Sequence, residues 1–200
     1  MNKQQLGLEI ATGILQTGVE GGYESVSCSS NGDYPSLGMS QWEGLSGRGD
    51  YLLGCIPGGD RFAGRAYSDI KAAGELDALS ELLATPEGQE AQNQILIEDC
   101  TEKYVPALAQ VPGFWDSRCF IYAGIWCPTN HICVMRFLQN RADRGITDLA
   151  TLRDIFMNEY YVAADVGEEY AEGYANRAAN TFNYAASCDL SAYGIAPYQG

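Results

Sequence analysis

Two acidic side chains near the start of the chain sit where carboxylates can do acid–base work. Glu20 ends a stretch whose apolar residues recur at helical spacing, and Gly21-Gly22 stops that helix. A carboxylic acid there faces the negative end of the helix dipole, which disfavours ionisation, and apolar neighbours raise its pKa further. Those are the conditions a general acid needs near neutral pH. Asp33 follows in an Asn31-Gly32-Asp33 turn signal. A hairpin turning back across the helix end can hold this second carboxylate opposite the first. Two carboxyl groups facing across a cleft are the minimum apparatus for hydrolysing a glycosidic bond. One protonates the leaving oxygen; the other activates water or stabilises positive charge at the anomeric carbon.

The residues after the turn, Tyr34-Pro35-Ser36-Leu37-Gly38-Met39-Ser40-Gln41-Trp42, carry groups that can orient a sugar. Glycine in a strand marks close approach to the backbone, so Gly38 leaves room for a sugar ring. Ser36 and Gln41 offer hydrogen bonds, Gln41 to the acid or to an amino or N-acetyl substituent. Tyr34 and Trp42 offer aromatic faces for stacking. Each has a plainer alternative: a solvated helix-terminal Glu20, an Asp33 bonded to its own turn, a structural Gln41, aromatic rings used in packing. Glu24, at a strand-like position, competes for the same cleft.

The positioning elements follow from the spacing. Leu6, Ile10 and Ile14, with Ala11 and Leu15, predict an amphipathic helix over residues 3–19. Extended pieces around Glu24–Cys28 and Ser36–Gln41 flank the turn and predict a small hairpin or three-stranded sheet. A short helix is expected near Asp50–Cys55, and the chain is helical after that. Leu76, Leu79, Leu82 and Leu83 form one apolar face. Thr85-Pro86 reads as an N-cap with proline at the first helical position, opening a helix towards Tyr104. Phe120–Trp126 and Ile132–Leu138 read as central helices separated by Pro128. Thr147 is expected to cap a helix carrying Leu149, Leu152, Ile155 and Phe156. Asp165 with Glu168 resembles a capping box for a last helix to about Ala186. The class expected is α+β, mainly α, in one domain over residues 1–200.

Other chemistries find little support. Among seven cysteines there is no CxxC pair, and His131 is the lone histidine, so no metal site and no cofactor are expected. Cys119, Cys127 and Cys133 lie in apolar surroundings and read as reduced, buried thiols. His131 reads as a structural hydrogen-bonding residue. The Gly-rich stretch Gly44–Gly59 has no lysine in P-loop position, and no nucleophile elbow accompanies any serine.

Acidic residues outnumber basic ones by 26 to 12, a net charge of −14. Nucleic acid would be repelled, so it is not an expected partner. A polycationic glycan would be attracted. No apolar run reaches the roughly 18 residues of a membrane helix, so membrane insertion is not expected. The N-terminus does not read as a signal peptide. The expectation is cytoplasmic synthesis, or a domain taken from a larger chain.

The order of a helix, a glutamate, a small β element with Ser-x-Gly-x-x-Gln and a helical lobe resembles the lysozyme-like superfamily. Within it, the chain is most similar to phage-type cell-wall hydrolases related to the chitosanases of glycoside hydrolase family 46. The residues that carry this are Glu20-Gly21-Gly22, Ser30-Asn31-Gly32-Asp33 and Ser36-Leu37-Gly38-Met39-Ser40-Gln41-Trp42-Glu43-Gly44. A weaker similarity extends to residue 184. The resemblance implies Glu20 as general acid and cleavage of a β-1,4-linked amino-sugar polymer, peptidoglycan or a chitosan-like glycan. Asp33 would be the second carboxylate, and Tyr34, Ser36, Gly38, Gln41 and Trp42 the sugar contacts. It allows phage virion or tail proteins as further partners, with release to the cell wall from a host cytoplasm or a particle. It also leaves room for lytic transglycosylase chemistry and for a non-catalytic glycan-binding scaffold. One departure stands out: Ser30 occupies the place of an acidic residue before Asn-Gly, and Asp33 comes just after that pair.

Overall fold

Helices follow the apolar spacing of the chain nearly throughout, and the exception is the Ser- and Gly-rich stretch between residues 21 and 47. The computed structural model describes residues 1–17, 21–112, 116–144, 146 and 148–190. In chain order, α1 (Lys3–Thr17) precedes the strands β1 (Val26–Cys28), β2 (Pro35–Leu37) and β3 (Trp42–Glu43). There follow α2 (Arg48–Cys55), α3 (Tyr67–Ala72), α4 (Leu76–Ala84), α5 (Pro86–Asp99) and α6 (Val105–Leu108). The last helices are α7 (Ser117–Gln139), α8 (Leu149–Ala163) and α9 (Ala171–Ser187). The protein is thus mainly helical with a small antiparallel sheet, ordered β1-β2-β3. No helix among the described residues is long and apolar enough to cross a membrane.

The chain divides into two compact units, one of residues 19–96 and one of residues 1–18 with 97–200. In the second unit, α1 buries Leu6, Ile10, Ala11 and Ile14, the stripe expected from its spacing. Its core is aromatic. Trp126 lies 4.9 Å from Phe156 between ring centroids, and Phe137 meets Tyr160 edge-on at 5.1 Å. Burying each such side chain contributes on the order of 1.5–3 kcal/mol. α5 runs on into a π turn, Cys100–Tyr104. Pro106 follows and has no N–H for the carbonyl four residues back, which favours the wider turn. In that turn Thr101 fits directly against Gly7 of α1.

Three boundaries differ from expectation. α7 breaks at Asn130 (φ −164°, ψ 87°), two residues after Pro128, and Asn130 Oδ1 accepts from the Cys133 N–H at 3.0 Å. Asn130 therefore caps the second segment, which fixes the break there. Asp148 caps α8, accepting from Thr151 N at 2.8 Å; Thr147 lies outside the described residues. Asp165 forms no capping box. It takes a left-handed conformation (φ 57°) and its N–H donates to Val162 O at 3.1 Å, so it ends α8. α9 is entered instead through a tight turn at Glu168–Tyr170.

In the unit of residues 19–96, Thr85 caps α5, its Oγ1 accepting from Gly88 N at 3.0 Å with Pro86 as the first helical residue. Leu79 and Leu83 of α4 and Leu52 and Leu53 of α2 are fully buried.

Candidate functional site

The register of the sheet sorts its side chains. Val26 pairs with Leu37 and Leu37 with Trp42; Ser27 pairs with Ser36 and Ser36 with Glu43. Strand alternation then sets Val26, Leu37 and Trp42 on one face and Ser27, Ser36 and Glu43 on the other. The first face is core: Leu37 is fully buried and Trp42 is 6% exposed. The Trp42 ring is thus packed inside, not offered to solvent. Tyr34 is half-buried, its ring laid over Gly32.

The turn from β2 to β3 is held by its own side chains. Gly38 (φ 66°) and Gln41 (φ 52°) both adopt the left-handed region. Gln41 Nε2 donates to Gly38 O at 3.0 Å, and Gln41 Oε1 accepts from Ser27 Oγ at 3.0 Å. Ser36 Oγ donates to the Gln41 carbonyl at 3.1 Å. Gln41 therefore ties β1, the turn and β2 together. Its amide is also the neighbour of Gly21: a methyl placed on Gly21 would lie 3.1 Å from Gln41 Nε2 and 2.6 Å from Ser25 Oγ. Glu20 lies outside the described residues, but the residue that follows it is seated on this corner.

Behind the turn stands Gln92 of α5, fully buried. Its Oε1 accepts from Met39 N at 3.1 Å, and its Nε2 donates to Tyr23 O and Leu83 O, each at 3.1 Å. A methyl on Gly38 would overlap Gln92 Oε1, so both the positive φ and this approach require glycine. Tyr23 is held again through its hydroxyl, which donates to Asn93 Oδ1 at 2.8 Å. One helix thereby fixes the strand turn and the segment after Glu20 in a common frame.

Asp33 is exposed and turned to another task. Ser68 donates to both its oxygens, the backbone N–H to Oδ1 at 2.9 Å and the hydroxyl to Oδ2 at 2.5 Å. Its carbonyl accepts from Tyr67 N at 3.3 Å. Asp33 thus secures the first turn of α3, and the Ser68 hydrogen bonds hold its carboxyl below the ordinary aspartate range. Glu24 is exposed as well; its carboxylate folds over Gly22, and its carbonyl accepts from Ser80 Oγ at 2.7 Å.

Glu43, which lies within the Ser36–Gly44 segment but was given no role from the sequence, is the half-buried carboxylate of the polar face. Its Oε1 accepts from Ser29 Oγ at 2.6 Å and from Asn31 Nδ2 at 2.9 Å. Ser29 is oriented in turn, accepting from Asn31 N at 3.0 Å. The signal in the sequence is alternation within β3: next to the apolar Trp42, Glu43 projects to the opposite face, that of its pairing partner Ser36.

Among the described residues no group of three or more His, Cys, Asp or Glu side chains could hold a metal ion. His131 packs its ring 5.9 Å from that of Tyr104, and burial lowers its pKa. Compared with protein-family models, curated proteins and solved structures, the chain matches none.

Proposed function

We propose that this protein hydrolyses the β-1,4 linkages of an amino-sugar polymer, peptidoglycan first, with Glu20 as the general acid on a lysozyme-like scaffold. The observation that carries the reading is the seating of Gly21 against Gln41. It puts the chain neighbour of the expected acid beside the hairpin whose Ser36, Gly38 and Gln41 were expected to meet the sugar. Gln41 is held at both ends of its amide, which gives the oriented polar frame that transition-state stabilisation needs. Glu20 protonates the glycosidic oxygen as the bond to the anomeric carbon breaks, and water completes the reaction. Tyr34, half-buried at the other end of β2, supplies an aromatic face. Such an enzyme would serve a phage-type lysin, acting on the wall from within a lysing host or from a particle.

The test is loss of turbidity of purified bacterial cell walls, wild type against Glu20→Gln, with reducing ends assayed in parallel. Clearing with new reducing ends, abolished in the variant, supports the reading. Anhydro ends in place of reducing ends turn it to lytic transglycosylation; binding without turnover turns it to a non-catalytic scaffold. The net charge of −14 favours one second substrate, chitosan, whose protonated amines it complements.

A further inference from the structure

Along α9, Asn176, Asn180, Asn183 and Ser187 recur at spacings of four, three and four, and all are exposed. They fall within about 60° of arc around the helix, opposite the buried Ala178, Thr181 and Ala185. Asparagine is a poorer helix former than Ala, Gln, Glu or Lys, which ordinarily cover a solvated helix face. None of the three asparagine carboxamides has a hydrogen-bond partner among the described residues, so local bonding does not account for them.

A cleft opens beside this stripe. Gln16 and Thr17, at the end of α1, face Asn180, Asn183, Tyr184 and Ser187 around about 380 Å³. Its walls are tied together: Tyr184 donates to Glu9 O at 3.2 Å, and its ring fits against Gly13, where a methyl would lie 2.6 Å from Cε1. No lining side chain is charged, in a chain of net charge −14. Gln16, Asn180 and Asn183 each present donors and an acceptor. Asn183 also borders a second cleft, of about 230 Å³, where Met157 and Phe182 offer apolar surface.

We propose that this cleft holds a neutral, N-acetylated glycan strand; the class of polymer rests on the glycan-hydrolase reading above. Its residues are none of those expected from the sequence to meet the sugar. Carboxamides pair with hydroxyl and acetamido groups without the desolvation cost of a charge. A deacetylated, cationic strand would find no counter-charge among the lining residues. Spacing favours a glycan over a peptide. From Asn176 to Ser187 the stripe is about 16.5 Å long, or about 5.5 Å per rung. That is close to the repeat of one sugar in an extended β-1,4 chain. An extended peptide repeats its side every two residues, about 6.6 Å, and would slip by about 3 Å over the stripe.

The experiment titrates wild type and Asn180→Ala/Asn183→Ala with tri-N-acetylchitotriose, the glucosamine trisaccharide and a neutral glycine–serine peptide. Side-chain amide resonances are followed by NMR, with thermal melts and release of reducing ends from cell walls measured in parallel. In wild type the acetylated trisaccharide should shift the Asn180 and Asn183 amides and bind more tightly than the other two probes. The variant should melt no lower than wild type, since alanine is the better helix former. It should bind the acetylated trisaccharide at least about tenfold more weakly. A smaller loss, a lower melt, unmoved amide resonances, or another probe bound as tightly overturns the cleft, while release of reducing ends by wild type keeps the hydrolase reading. Binding at these amides by a protein that releases no reducing ends overturns the hydrolase reading and leaves the cleft as a glycan-binding site.

Discussion

Gln92→Ala should loosen the turn that frames the site, and its size follows from three hydrogen bonds. Gln92 is fully buried, and its amide serves Met39 N, Tyr23 O and Leu83 O. Truncation leaves the Met39 N–H without an acceptor, in a residue only 1% exposed. A buried donor so orphaned costs about 2 kcal/mol, and each carbonyl, which keeps a second lone pair, about 0.5. The sum, about 3 kcal/mol, corresponds to roughly a 150-fold shift in the opening equilibrium. Amide hydrogen exchange read at Met39 by NMR measures that shift directly, because local opening governs the exchange. The double variant Gly38→Ala/Gln92→Ala sharpens it. Alanine at 38 clashes with Gln92 Oε1 and is strained by φ 66°, so its cost should be smaller once Gln92 is gone. Met39 exchange less than about fivefold faster in Gln92→Ala would refute the assignment of Gln92 as the support of the turn.

Other consequences are open to direct measurement. Asp33 has a lowered pKa, so its contribution to stability is complete above the unfolded value of roughly 3.9 and is lost as pH falls through the folded one. The stability gap between wild type and Asp33→Asn should therefore be flat from about pH 5 to 7 and shrink below about pH 4; a gap independent of pH down to about 2 would contradict it. Cys28 and Cys55 are exposed, whereas burial raises the thiol pKa of Cys100 and Cys119 and pushes Cys127 up to about 12. A thiol reagent should label Cys28 and Cys55 in a fast phase that Cys28→Ser/Cys55→Ser removes, and reach Cys100, Cys119, Cys127 and Cys133 only on unfolding. Thr181 is fully buried, and among the described residues its Oγ1 has no hydrogen-bond partner. Thr181→Val should raise stability by about 1 kcal/mol in denaturant titration, and a loss would reveal a bonded hydroxyl.

What was legible in the chain was what neighbours in sequence decide. The apolar spacing predicting a helix over 3–19 gives α1 at Lys3–Thr17, and Thr85-Pro86 opens α5 as cap and first residue. The turn signal at Asn31-Gly32-Asp33 lies between β1 and β2, as its chemistry requires. The roles of single side chains were hidden because distant partners set them. Asp33 reads as a turn residue until Ser68, 35 residues on, takes its carboxylate. Gln92 lies 53 residues from Met39, and no local pattern announces a buried glutamine that bonds a strand turn. Glu43 was hidden in the same way: its strand, Trp42–Glu43, pairs with Ser36 and Leu37 only after the turn through Gln41, and its partners Ser29 and Asn31 lie ahead of β2 in the sequence.

The π turn at Cys100–Tyr104 also bears on the tolerated length of the gene. Such a turn carries the equivalent of one inserted residue within a helix, here taken up where Pro106 would otherwise break the ladder. Deleting a codon from a regular helix swings everything after it by about 100° around the axis, whereas here it would remove the extra residue and leave the flanking register in place. Val105 and Leu108, both buried, would then keep their core positions. Along this helix, the place where the chain can lose a residue is the place where it already carries one too many.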